Sequence, residues 1–235
     1  MRRNCVITDF IRYQRQIAVP EINEKGQVTL QQKKVLIIGC GGLGTNVALY
    51  LVGAGIGSIV CADDDQVDVS NLHRQIAYRE SDIGEAKAAS LYKQLNALNH
   101  TCKIRQISNR MDDEQLRLES CLRMWSLIVV IIWKAVIRSI VFATNKKTDL
   151  VSGAAIGWCG QLSVYRFQET SPCYQCLASG LDLETMAGCR DFGVVRAGYW
   201  VCWFNAGIES NTAIVGIGAF CCDAVREHVE YADSF

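Results

Sequence analysis

An apolar run that ends on glycine and opens a helix constrains this chain more than any other feature. KKVLIIG, Lys33 to Gly39, is a continuous run of β-formers, the pattern of a strand buried on both faces of a parallel sheet, which has no solvent side for polar residues. GCGGLG comes next, with Gly39, Gly41 and Gly44 in G-x-G-x-x-G register and Gly42 between them. Glycines there permit a tight turn and let backbone N–H groups approach a phosphate closely, where it also feels the positive end of the helix dipole. Such a motif alone is weak, and its plain alternative is a packing turn. The strand before it and the helix after it favour a nucleotide.

The rest of the chain continues the alternation. GTNVALYLVGAG, Gly44 to Gly55, reads as a helix, SIVCADDD as a second strand, Asp82 to Asn99 as an amphipathic helix and CKIRQI as a third strand. TDLVSGAAIG and GQLSVYRF are later strand candidates. Helices alternating with strands imply right-handed crossovers, so the fold class expected is α/β, a Rossmann-like, mostly parallel sheet with helices on both faces. Residues 1–235 read as a single domain. A helical arm spans 9–32, two short helices with a turn at Pro20, and a nucleotide-binding half spans 33–115.

Composition removes several function classes. Lys and Arg total 24 and Asp and Glu total 24, which leaves no basic footprint for nucleic acid or an anionic membrane. LIVVIIWKAVIRSIVFATNKK, Leu127 to Lys147, has an apolar part of about sixteen residues interrupted by Lys134 and Arg138, each costing roughly 2.5–3.5 kcal/mol at a bilayer centre, so it is not read as a membrane span. The opening MRRNCVITDFIRYQRQ lacks an apolar signal region, and the 12 cysteines are therefore read as reduced thiols of a cytoplasmic protein.

Which nucleotide binds turns on the residues just past the second strand. Asp63, Asp64 and Asp65 come about twenty residues after the last glycine, where a carboxylate hydrogen-bonds a ribose hydroxyl. NAD and ATP both carry that ribose. Asn71 and Arg74 in VDVSNLHRQ, and Lys87 beyond them, suit a triphosphate, whereas a nicotinamide needs a neutral, apolar slot. Singly, Arg74 and Lys87 read as solvated surface charges; beside the glycine loop they read as phosphate ligands.

At these residues the chain resembles the adenylyltransferases of the ThiF and MoeB type, which activate ubiquitin-like sulfur carrier proteins. The resemblance rests on RYQRQI, VLIIGCGGLGTNVALYLVGAGIG, ADDDQVDVSNLHRQ, the lysine of GEAKA, LVSGAAIG with GQL, CYQCL and AGCRDFGVV. It implies ATP and Mg2+ as cofactors and a carrier ending in Gly-Gly as partner. The carrier's terminal carboxylate would attack the α-phosphorus of ATP, giving an acyl-adenylate and pyrophosphate. By matching motif, Gly41 and its neighbours would lie at the phosphates, Asp63 would hold the ribose, and Asn71, Arg74 and Lys87 would contact the triphosphate, with Asp65 counted among the nucleotide-binding residues. Arg15 would reach the ATP of the neighbouring subunit, which implies a homodimer. Cys173 and Cys176 match half of a four-thiolate Zn2+ site whose second C-x-x-C is missing here, and Cys189 matches a cysteine that takes part in sulfur transfer. Cys40, inside the loop, is read as packing. DQVDVSNL and AGCRDFGVV lean toward the thiamine-pathway member over the molybdopterin enzyme.

The pattern breaks twice. Where the family carries Asp-Cys-Ser-Asp-Asn and an arginine, this chain has IVVIIWKAV, Ile128 to Val136, and no carboxylate occurs from Ser120 to Thr148. Codons read one base earlier permit the missing motif. RAGYWVCWFNAGI, Arg196 to Ile208, behaves likewise with the opposite shift. Residues 123–140 and 196–235 are therefore read as frame-shifted, leaving the C-terminal part degraded relative to the family and 142–195 as the carrier-binding and cysteine region. Leu127 to Ile132 can still occupy a strand. The rivals are a catalytically dead carrier-binding or dimerising module, and an NAD-dependent oxidoreductase resting on the glycine loop alone.

Overall fold

A computed structural model describes residues 11–112, 114–116, 119, 127–130, 149–156 and 159–165. Residues 11–17 are helical (α1), and a turn through Pro20 leads to α2, Asn23–Gln32. Then come β1 (Lys34–Ile38), α3 (Gly42–Gly53), β2 (Ser58–Ala62), α4 (Lys87–Leu98) and β3 (Lys103–Ile107). The later strands are β4 (Leu127–Val130), β5 (Asp149–Ile156) and β6 (Cys159–Tyr165).

They form one six-stranded sheet in the order β3-β2-β1-β4-β5-β6. Every pairing is parallel except β5 with β6. The chain winds outward from β1 to β3, then returns to β1's other side through β4. That reversal opens a crevice at the carboxyl ends of β1 and β4, the place where doubly wound sheets bind ligands. The expected α/β, mostly parallel architecture is the one observed.

Strand burial derives from sequence. Val35, Leu36 and Ile37 are fully buried, as are Val47 and Leu51 on α3, Ile59 on β2, and Leu91 and Leu95 on α4. Each such side chain contributes about 1.5–3 kcal/mol on leaving water. The Leu127 run forms a strand despite departing from the family pattern, because an unbroken aliphatic run is what a position between two parallel strands requires. Val130 pairs with Ile38 on one side and Ser152 on the other.

Two helix starts differ from expectation. α3 begins at Gly42, with Gly41 as its N-cap, because the Thr45 N–H already reaches the Gly41 carbonyl at 3.0 Å. α4 begins at Lys87, well after Asp82: a short 3-10 turn, Glu80–Asp82, is closed by the Arg79 N–H donating to the Asp82 carboxylate at 2.8 Å, and Gly84 then takes φ 86°.

The arm docks at the far end of α3. Tyr13 is buried, its hydroxyl accepting from the Asn99 amide at 2.8 Å, while that same amide donates to the Val52 carbonyl at 2.9 Å. Gln16 donates to the Ala54 carbonyl at 3.1 Å. α1 is thereby fixed beside the last turn of α3, while the glycine loop lies before its first.

Candidate nucleotide-binding site

The glycine loop is built so that its carbonyls are used up within the protein. The Tyr78 hydroxyl donates to the Cys40 carbonyl at 2.7 Å. The Thr45 hydroxyl donates to the Gly41 carbonyl at 2.9 Å, and the Asn46 amide to the Gly42 carbonyl at 2.6 Å. The backbone amides at the start of α3, before Thr45, have no carbonyl one turn back to reach. A loop whose acceptors are occupied and whose leading amides are unspent presents a surface for an anion.

Gly39 takes φ 101°, a backbone conformation that other L residues adopt only with strain. Gly41 is different. Its φ of −79° is open to any residue, and among the described residues a Cβ there would meet nothing nearer than the Gln75 amide nitrogen at 3.8 Å. Neither backbone strain nor packing demands glycine at 41, so its missing side chain leaves a cradle. ATP phosphates fit such a cradle.

Asp63, at the carboxyl end of β2, is 7 % exposed. Its carboxylate accepts from the Cys40 N–H at 2.5 Å and from the Asp65 N–H at 2.9 Å, tying the glycine loop to the exit of β2. Burial pushes its carboxyl above the ordinary aspartate range, against the two amides and Lys87, which pull it down. Each oxygen keeps a lone pair for a ribose hydroxyl. Cys40 is wholly buried, and its thiol lies well above the usual range because of its hydrogen bond with Cys61 and its burial. It is packing, as expected.

Lys87 is the first residue of α4 and is 6 % exposed. Its ammonium pairs with Asp65 at 2.8 Å, and its backbone N–H donates to the Asp65 carbonyl at 2.9 Å. Asp65 therefore holds Lys87 rather than standing free for a ribose. Asn71 is buried with its side-chain oxygen unpartnered. Arg74 donates to the Ser70 carbonyl at 2.8 Å through one terminal nitrogen, and its Nε is buried without a partner.

Of the residues expected from sequence, the fold connects Gly39, Gly41, Gly42, Gly44, Asp63, Asp65 and Lys87 around the carboxyl ends of β1 and β2. Arg15 is not among them. It is exposed on α1, and α3, at 12 residues and a rise of 1.5 Å each, puts about 18 Å between that arm and the loop. Cys173, Cys176 and Cys189, like residues 196–235, lie outside the described residues. Among the described residues no cluster of three or more His, Cys, Asp or Glu could hold a metal ion, and no helix is long and apolar enough to cross a membrane. Sequence reasoning missed Thr45, Asn46 and Tyr78, which no motif spacing marks and which act on backbone carbonyls.

A family model described as the ThiF family matches residues 13–225, a span that includes 123–140 and most of 196–235. The adenylyltransferase and sulfurtransferase MOCS3 of Dictyostelium discoideum is 38% identical over 189 residues, covering 78% of this chain and 43% of that protein. The sulfur carrier protein ThiS adenylyltransferase of Escherichia coli K12 is 38% identical over 192 residues, covering 80% of this chain and 74% of that protein. The molybdopterin-synthase adenylyltransferase of Salmonella typhimurium is 35% identical over 189 residues, with coverages of 80% and 75%. The chain spans about half the length of the MOCS3 proteins it matches. Among solved structures, PaaA superposes with a TM-score of 0.74 at 23% identity over 90% of this chain and 67% of that one. E. coli MccB with ATP gives 0.69 at 20% over 81% and 58%. At those identities the likeness is one of fold.

Proposed function

Because this chain belongs to the ThiF family, we propose that it is an ATP-dependent adenylyltransferase acting on the C-terminal glycine of a ubiquitin-like sulfur carrier protein. The observation that carries this reading is the loop at 39–44, whose Cys40, Gly41 and Gly42 carbonyls are occupied, whose amides at 42–44 have no carbonyl one turn back, and whose Gly41 leaves an open cradle among the described residues. The carrier's carboxylate oxygen forms a bond to the α-phosphorus as the bond to the β-phosphate oxygen breaks, releasing pyrophosphate. The protein aligns the reactants and neutralises charge. Asp63 holds the ribose, the amides opening α3 hold phosphate, and Asn71, Arg74 and Lys87 hold the triphosphate. For Lys87 to do so, phosphate must compete with Asp65. Mg2+ would supply further charge neutralisation; among the described residues no group of three or more His, Cys, Asp or Glu could hold it, so it would be held by the phosphates with one or two carboxylates at most.

Arg15 acts on the ATP of a second subunit in this reading. The distance between α1 and its own loop supports that, and it makes the site complete only in a homodimer. Cys189 serves sulfur transfer, and the carrier is the ThiS type of the thiamine pathway, with the molybdopterin-synthase carrier as the alternative. Relatives at 38% and 35% identity carry the two names. Cytoplasmic localisation belongs to the same reading. Zn2+ on Cys173 and Cys176 lacks a second cysteine pair, and metal analysis of the purified protein tests it.

One observation favours a second reading, a catalytically dead carrier-binding module. β4 ends beside Ile38, next to the glycine loop, and the sequence there offers no carboxylate from Ser120 to Thr148. ATP–pyrophosphate exchange dependent on a carrier ending in Gly-Gly separates the two: exchange supports the enzyme, and ATP binding without exchange supports the dead module. Exchange with only one of the two carriers assigns the pathway. Sequencing the encoding DNA across 123–140 and 196–235 tests the frame-shift reading, which an uninterrupted frame confirmed by peptide mass would refute.

A further inference from the structure

Against the glycine loop stands a side chain that neither motif spacing nor family resemblance assigns a role. Gln75 is 3 % exposed, and its Oε1 is buried with no hydrogen-bond partner. Native proteins satisfy such groups, so an orphan calls for a reason. Its Nε2 faces the Gly41 cradle, 3.8 Å from where a Cβ on that glycine would sit. The backbone around it is firmly placed: the Gln75 N–H donates to Asn71 O at 2.9 Å, the Tyr78 N–H to Gln75 O at 3.1 Å, and the Tyr78 hydroxyl to the loop itself. Asn71 Oδ1 and Arg74 Nε, on the same short segment, are orphaned too. A buried amide that no internal bond pins, on a rigid support, facing a space over Gly41 that no other described residue enters within 4 Å, has the arrangement of a ligand contact in its unliganded state.

We infer that Gln75 is a further nucleotide-contacting residue, its side-chain amide donating a hydrogen bond to a phosphate oxygen lying over Gly41. This rests on the reading that the loop takes ATP. The contact uses Nε2 and tightens the complex, while Oε1, an acceptor like the phosphate, stays the unmet group whether or not nucleotide is bound. Replacing it by an apolar side chain of similar length removes the contact and the unmet group together.

The test titrates ATP into the full-length wild type, Q75M and Q75E by calorimetry, alongside thermal denaturation of each without nucleotide. Wild type binds ATP; if it does not, the adenylyltransferase reading itself fails, whatever the variants do. Given wild-type binding, Q75M is expected to melt at or above the wild-type temperature and to bind ATP roughly 10- to 150-fold more weakly, the loss of one hydrogen bond to a charged group. Q75E is expected to bind more weakly still, with affinity partly restored on acidification as its carboxylate is neutralised. Unchanged ATP affinity in Q75M would overturn the inference. So would a lowered melting temperature in both variants, or loss of fold in Q75M, either of which makes Gln75 a structural residue.

Discussion

Gly41→Ala separates binding from stability more cleanly than other substitutions in the loop. Position 41 has φ −79°, and the new Cβ meets only Gln75 Nε2 at 3.8 Å, an ordinary contact. Losing glycine's freedom in the unfolded chain stabilises by about 0.4–1 kcal/mol, while alanine caps a helix worse than glycine by roughly 1 kcal/mol. The two terms offset, so the free protein should stay within about 1 kcal/mol of wild type, about 2–4 °C in melting temperature for a chain of this size. Nucleotide is affected differently, because the methyl group stands where phosphate approaches the amides. Losing even one charge-assisted hydrogen bond costs about 1.5–3 kcal/mol, roughly 10- to 150-fold in Kd. Gly55→Ala is the opposite control. Its φ is +87°, and a Cβ there would lie 2.5 Å from the buried ring of Tyr13. Left-handed backbone costs about 1–2 kcal/mol and overpacking about 1–3 more, far from the site. Thermal denaturation with ATP calorimetry reads both variants. Wild-type ATP affinity in Gly41→Ala, or a large loss of its stability, would refute the cradle.

The remaining predictions concern neighbouring groups. Asp63 must be ionised to accept ribose hydroxyls, and burial raises its pKa, so ATP affinity should weaken on acidification from above the ordinary aspartate range; Asp63→Asn should remove that component of the pH profile. The sign for stability is opposite: a carboxyl raised in the folded state contributes stability fully present below the unfolded pKa and lost as pH rises through the folded one, which denaturant titrations across pH will register. Lys87 and Asp65 should respond unequally, because their side chains are 8% and 61% exposed. Lys87→Met leaves a solvated carboxylate, changes stability by less than about 1 kcal/mol and removes exchange; Asp65→Ala strands a buried ammonium and costs about 1–3 kcal/mol, and equal losses in urea melts would contradict this. Replacing 128–136 by Asp-Cys-Ser-Asp-Asn-Met-Glu-Ser-Arg should raise carrier-dependent exchange at least tenfold, and no gain would count against the frame-shift reading.

The buried strands β1 and β2 and the glycine loop are legible in the sequence because each rests on a local rule. Lys34–Ile38 and Ser58–Ala62 have no polar residue in their buried interior, and a strand between two neighbours leaves little choice. Asp63 is legible only in part. Distance from the glycines marks it for ribose, but its bond to the Cys40 amide is a contact between the ends of two strands that no spacing encodes. Asp65 reads as one of three carboxylates that could reach the ribose, and in the structure it pairs with Lys87, beside a β-bridge between Gln66 and Ala86. Tyr78 sits in RQIAYRE, where nothing distinguishes a core tyrosine from one holding a loop carbonyl. The start of α4 lies later than its sequence signal because Asp82 caps a tight turn instead of opening a helix.

Titrating ATP into the folded protein by calorimetry tests the central claim most directly, that the amides opening α3 at 42–44, beside the occupied carbonyls of Cys40, Gly41 and Gly42, grip a triphosphate. Saturable uptake, abolished in Lys87→Met and not displaced by NAD, is the result expected. A chain that circular dichroism shows to be folded, yet takes up no ATP at millimolar concentration or takes up NAD in its place, would contradict it.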